Sequence, residues 1–144
     1  MTPTLTRHRL DVRFSDCDLL GHVNNSCYLT YLEEARIELW RWQLGFLATG
    51  PASGTPRGCG FILARAEVDF RAQARYGDTL EVRMRLAGFG RSSMIYEYDV
   101  IRAADSVTVA TAKTVQVWFD YDANQSLAID EALKLKLVAP MPQQ

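Results

Sequence analysis

Residues 25–44 read "NSCYLTYLEEARIELWRWQL", and their spacing decides what kind of protein this is. Tyr28, Tyr31, Leu32, Ala35, Leu39, Trp42 and Phe46 fall at i, i+3, i+4, i+7, i+11, i+14 and i+18, which is one face of an α-helix. Leu29, Ile37, Trp40 and Leu44 widen that face. Thr30, Glu33, Glu34, Glu38 and Arg41 leave only a narrow polar strip. A helix this apolar has to be covered on most of its sides. Asn24 or Asn25 suits its start and Gly45 its end.

Outward from this helix the period changes to two. On the N-terminal side Leu10, Val12 and Phe14 alternate with Arg9, Asp11 and Arg13, the pattern of a half-buried strand. On the C-terminal side residues 45–60, "GFLATGPASGTPRGCG", hold five glycines and two prolines and read as a loop. Residues 53–57 within it are a candidate rim or lid of a pocket. Alternation then resumes: Ile62, Ala64, Ala66, Val68, Phe70 and Ala72 share one parity, and Leu80, Val82, Met84 and Leu86 follow after a turn at "YGD". Two further runs, 94–102 and 107–119, follow the turns "GFGRSS" and "AADS". Four long runs with short turns predict an antiparallel meander, and their length predicts strong curvature. Ser126 is placed to cap a short helix ending near Leu137. The expected fold is α+β, a curved antiparallel sheet wrapped around one long central helix. A cystatin-like or ferredoxin-like arrangement is the alternative, and both leave more of the helix polar.

Composition narrows the function. A chain of 144 residues suits one domain over 1–144, able to bury roughly 70% of its unfolded surface without disulfide or metal. The formal charge of −1 argues against a nucleic-acid partner. No apolar run approaches the roughly 20 residues that span a bilayer, so no membrane partner is expected. The opening "MTPTLTRHRL" lacks an apolar signal core. Cys17, Cys27 and Cys59 are an odd number with no CxxC pair, which suits reduced thiols in the cytoplasm.

The chemistry gathers immediately before the helix, in "SDCDLLGHVNN", residues 15–25. The first turn of a helix presents unpaired N–H groups and a positive dipole end. Such donors can hold an anion, or the oxygen of a carbonyl under attack. A carboxylate close by supplies a general base or a nucleophile. Asp18, Gly21, His22 and Asn25 lie at or just before the helix start, so both halves of an acyl-transfer site fall within a few residues. The plain alternative is structural: Asp16 and Asp18 form turns, Gly21 bends the chain and the asparagines cap. On spacing alone that alternative is slightly favoured.

The residue pattern goes further. "VRFSDCDLLGHVNNSCYLTYLEEAR", with its D-x-x-G-H-V-N-N core, resembles the opening of the 4-hydroxybenzoyl-CoA thioesterase-like family of hotdog-fold acyl-CoA thioesterases. "YGDTLEVRMRL", "GRSSMIYEYDV" and "TVQVWFD" continue the likeness over most of the chain. The resemblance implies a hotdog fold and hydrolysis of an acyl-CoA to free acid and coenzyme A. It also implies Asp18 as the catalytic aspartate and the Asn25 amide as the carbonyl-polarising donor. Plant acyl-carrier-protein thioesterases are similar here, and their pattern makes His22 catalytic as well, although Leu20 stands where they carry asparagine. The resemblance further implies homodimers or homotetramers with sites across the interface. In such an assembly Arg91, Ser92 and Ser93 of the "GRSS" turn hold coenzyme A phosphates near a neighbour's Asp18; a plain hairpin turn is the equal alternative. Gly21 and Tyr28 border the acyl group, and Tyr31 and Trp40 line a phenacyl or an alkyl pocket. A related hotdog group carries a catalytic glutamate on this helix, which makes Glu33 an outside candidate beside its simpler reading as a solvated surface residue. Coenzyme A enters as substrate, so no cofactor is expected. Two histidines without H-x-x-x-H spacing give no metal site. An acyl carrier protein as thiol carrier, and a non-catalytic acyl-thioester or lipid-binding hotdog protein, are the alternatives.

Overall fold

Asn24 fixes where the long helix begins. Its extended backbone and its side-chain oxygen, which accepts from Ser26 N at 3.0 Å, start α1 at Asn25, and the helix runs to Leu44. Gly45 ends it with φ +79°, a left-handed conformation that favours glycine. The computed structural model describes residues 2–45 and 58–142; Phe46 and the candidate rim at 53–57 lie outside that range.

Five strands flank the helix in sequence: β1 (Thr4–Asp11), β2 (Cys59–Phe70), β3 (Thr79–Phe89), β4 (Ser93–Arg102) and β5 (Val107–Asp120). A two-residue strand, β6 (Gln125–Ser126), pairs with β5, and a second helix, α2 (Glu131–Leu137), follows. The sheet is antiparallel with order β1-β3-β4-β5-β2. Register shifts interrupt all four main ladders, between Thr4 and Thr6, Leu63 and Arg65, Leu86 and Gly88, and Val100 and Ile101. Each adds local twist, and together they curve the sheet.

Three expectations are corrected. Only β3, β4 and β5 form a meander, because β2 pairs with β5 at the far edge and not with β3. Alternation reports which face of a strand is buried and carries no information on its neighbour. The first strand ends at Asp11, and Phe14 lies on a 3-10 turn (Phe14–Asp16) with its ring exposed. Ser126 belongs to β6, while Asp130 caps α2 by accepting from Leu133 N at 2.8 Å.

The core packs the apolar face of α1 (Tyr28, Tyr31, Leu32, Ala35, Leu39, Trp40) on Leu80, Val82 and Met84 of β3 and Met94, Tyr96, Tyr98 and Val100 of β4. Trp40 stacks on Phe61 of β2 at 5.1 Å and its Nε1 donates to Tyr96 Oη at 2.9 Å. Leu29 and Trp42 are nearly half exposed despite their spacing, and Arg36 is buried in place of an apolar residue. Gln43 Nε2 donates to Leu137 O and Ala139 O, tying the end of α1 to the end of α2.

Candidate active site

The segment between β1 and α1 is folded by its own polar groups. Asp16 is 3% exposed and acts as the hub. It accepts from Arg13 N at 3.0 Å, from the Arg13 guanidinium at 2.9 Å and from Tyr31 Oη at 2.8 Å. Its carbonyl accepts from Asn24 N at 2.8 Å, so the cap residue of α1 is anchored to it. Burial pushes the Asp16 carboxyl up, but hydrogen bonds from Arg13 and Tyr31 outweigh it and hold the group below the usual carboxylate value. Burial, then the Asp16 contact, pushes the Tyr31 phenol well up, so it stays a proton donor. Burial and the Asp16 charge also raise the Cys27 thiol, which makes it a poor nucleophile.

Beyond Asp16 the chain makes a small reverse turn. Cys17 pairs with Val23, whose N–H donates to Ala74 O at 2.8 Å. Asp18 N donates to His22 O, and Gly21 N donates to Asp18 O, both at 3.0 Å. Gly21 has φ +84° with open space where a side chain would begin, so the backbone angle, not crowding, asks for glycine. Asp18 Oδ1 accepts from Leu20 N at 2.9 Å. The side chain thus does serve the turn, as the plain alternative required, and the carboxylate is exposed at its tip. One oxygen is engaged by the backbone.

Two cavities flank this turn. One, of about 480 Å³, is lined by Asp18 and Gly21 with Phe14, Cys17, Leu19 and Tyr76. The other, of about 270 Å³, is lined by His22, Val23, Asn25 and Tyr28 with residues 70–74. Tyr28 packs its ring on Phe70 at 5.3 Å there. Asn25, as the first residue of α1, contributes an N–H of the first helical turn. The structure therefore brings His22, Asn25 and Tyr28 together and sets Asp18 with Gly21 on the adjoining cavity.

Arg91, Ser92 and Ser93 lie elsewhere. They follow β3, whose 11 residues run up to about 33 Å along the strand from residues 74–78, which contact the segment through Ala74 and Tyr76. Their turn is tight: Gly90 N donates to Ser93 O at 2.9 Å, and a side chain at Gly90 would collide with Ser93 Oγ. The carbonyls of Arg91 and Ser92 accept from Ile129 N and Trp118 N. The Arg91 side chain is exposed. Glu33 is exposed on α1 and borders a third cavity with Arg36. Residue types alone gave no sign that Asp16 is the hub. The one available signal was the spacing of Arg13 and Asp16, three residues apart, the span of a single turn.

Among the described residues no group of three or more His, Cys, Asp or Glu side chains could hold a metal ion. Among the same residues no helix is long and apolar enough to cross a membrane.

Known proteins place this arrangement in a family. A thioesterase from Thermus thermophilus, crystallised with coenzyme A and Zn, superposes with a TM-score of 0.78 at 34% identity, covering 95% of each chain. Long-chain acyl-CoA thioesterase FadM of Escherichia coli K12 is 25% identical over 135 residues, which is 90% of this chain and 94% of FadM. Acyl-CoA thioester hydrolase YbgC of Escherichia coli O157:H7 is 25% identical over 111 residues, covering 74% of this chain and 77% of YbgC. The sequence pattern of the thioesterase-like superfamily matches residues 12–137, from the buried Val12 behind the Asp16 hub to the last residue of α2. This chain belongs to the thioesterase-like superfamily.

Proposed function

We propose that this protein is an acyl-CoA thioesterase, which hydrolyses the acyl–sulfur bond to a free acid and coenzyme A. The observation that carries the reading is the exposed Asp18 carboxylate on a glycine-dependent turn, seven residues before the first amide of α1. The Asn25 N–H, reinforced by the helix dipole, polarises the thioester carbonyl and holds its oxygen as charge develops. Asp18 takes a proton from water, whose oxygen attacks the carbonyl carbon. Alternatively Asp18 attacks directly, and water then hydrolyses the mixed anhydride. Either route breaks the C–S bond, and the thiolate leaves and takes a proton. His22 borders the Asn25 cavity as a supporting polar group, and Gly21 and Tyr28 border the acyl chain.

The fold we infer is the hotdog arrangement, one domain over 1–144 with the curved sheet wrapped around α1. A homodimer or a dimer of dimers brings Arg91, Ser92 and Ser93 to the coenzyme A phosphates at a neighbour's site. Such an enzyme works in the cytoplasm. Parallel assays with acyl carrier protein thioesters identify the thiol carrier.

The test is Asp18→Asn, assayed by release of free thiol. Asparagine keeps the oxygen that accepts from Leu20 N, so the turn survives while basicity and nucleophilicity are lost. A fall in kcat of roughly 10²–10⁴-fold with an unchanged melting temperature is expected. Near-normal turnover in the folded variant would assign Asp18 to the turn alone, and wild-type protein that binds acyl-CoA without cleaving it would indicate a binding protein.

A further inference from the structure

Arg36 is 5% exposed in the middle of α1. No ion pair among the described residues involves it. Residues 46–57 contain no aspartate or glutamate. A buried guanidinium without a counter-charge is costly to keep.

The hydrogen bonds around it run in one direction. Arg36 Nη1 donates to Tyr98 Oη at 3.2 Å. Thr114 Oγ1 gives its single proton to Gln116 Oε1. Tyr98 Oη must then give its own proton to Thr114, at 2.6 Å. Gln116 Nε2 closes the chain on Met94 O at 3.0 Å. Each side-chain oxygen in this chain already accepts one hydrogen bond. Arginine has five N–H donors, and among the described residues one of them is taken, by Tyr98 Oη.

Arg36 itself borders a cavity of about 260 Å³. Its walls include Ile37 and Trp40 of α1 and Phe61 and Leu63 of β2, with Gln116 beside Arg36. This cavity and the Asn25 cavity are both lined by residues of α1 and β2. Tyr28 meets Phe70 at the end of β2, and Trp40 meets Phe61 near its start. Eleven residues of helix separate Asn25 from Arg36, about 16 Å at 1.5 Å per residue. The arginine side chain leans back toward the helix N-terminus. An acyl chain whose carbonyl meets the Asn25 amide has its far end near the guanidinium. Apolar walls suit the methylenes, and a planar fork of charged donors suits a carboxylate. Glu33 also borders the cavity, but its carboxylate is exposed and screened by water, whereas Arg36 is enclosed.

We propose that Arg36 is a specificity residue that pairs with a carboxylate at the far end of the acyl group, so that the preferred substrates are CoA monothioesters of dicarboxylic acids. This rests on the thioesterase reading above. The test compares acyl-CoAs of equal carbon number that end in methyl or in carboxylate, across short to long chains, with the wild-type protein and with Arg36→Met. A charge-assisted pair predicts that wild-type kcat/KM favours the carboxylate by roughly 10- to 100-fold at the matching length. In Arg36→Met that ratio should fall to about one or below. Methyl-ended thioesters cleaved as well as or better than carboxylate-ended ones at every length would overturn the proposal and leave the thioesterase reading standing. A ratio that persists in folded Arg36→Met overturns it too. Absence of hydrolysis with every acyl-CoA removes the reading on which it rests. If Arg36→Met does not fold, the wild-type ratio alone decides.

Discussion

Asp16 and Asp18 are the same residue type two positions apart, and their surroundings separate them. Asp16 is enclosed and accepts from Arg13 and Tyr31, whereas Asp18 is exposed with one oxygen on Leu20 N. Substitution of Asp16 is therefore expected to act on stability, and substitution of Asp18, in its proposed role, on turnover. The Asp16 carboxyl is held below its ordinary value of 3.8. A carboxyl depressed in the folded state stabilises the fold above its unfolded pKa, and that contribution is lost as pH falls through the folded pKa. Melting temperature should thus hold from neutral pH to about pH 4 and drop below it as this group protonates. Asp16→Asn should melt lower at neutral pH, by about 1–3 kcal/mol of stability for disturbing a buried polar network, and show a flatter acid limb. Equal acid limbs for variant and wild type would mean that Asp16 contributes nothing to acid unfolding. The reverse holds for Asp18→Asn, whose loss is expected in kcat with melting unaltered.

At the scale of elements, α1 was readable because its signals are local. Period, cap and left-handed glycine all lie within the segment, and the helix spans Asn25–Leu44 as the spacing predicts. The alternating runs of β3 and β4 were legible for the same reason, with Leu80, Val82 and Met84 on the buried face. Strand order was not, since β2 finds β5 across the sheet and nothing within β2 names that partner. The candidate site followed the same division. Asp18, Gly21 and Asn25 could be picked out from a motif of contiguous residues. The Asp16–Tyr31 bond and the Arg36–Tyr98 chain join positions 15 and 62 residues apart and needed the fold. The cap itself is testable. Asn24→Ala removes the acceptor for Ser26 N and should cost about 1 kcal/mol, seen as a lower urea midpoint. The Asn25 amide in the adjacent first turn loses its fixed direction as the end frays. The fall should therefore appear in kcat more than in KM, and Asn24→Ser should restore both. Loss of stability with kinetics untouched would argue that the helix start is not part of the oxyanion site.

For the whole molecule the governing length is the distance between its two ends. β3 runs up to about 33 Å along its length between the Asp18 end and the "GRSS" turn, and the assembly proposed above pairs Arg91 with a neighbour's Asp18. The sheet meanwhile ends in β2, a 12-residue edge strand with Leu63 and Phe70 nearly half exposed, and an open edge of that length invites pairing. Phe14, Leu19, Leu20 and Tyr76 add exposed apolar surface around the Asp18 turn. A second copy that covers these surfaces can bring its own Arg91 to the first copy's substrate, which makes the proposal one about shared sites. In that case Asp18→Asn homodimers should be nearly inactive, and Arg91→Ala homodimers should turn over with a raised KM for the CoA thioester. Mixing the two by unfolding and refolding together creates heterodimers. In each of these, one site carries both substitutions and the other carries neither. Activity at low substrate should therefore exceed the sum of the separate homodimers and show a component with the wild-type KM. If each chain used its own Arg91, every heterodimer site would carry one substitution, and mixing would add nothing. Sedimentation of the wild type as a monomer at assay concentration would reject the shared site before any mixing is done.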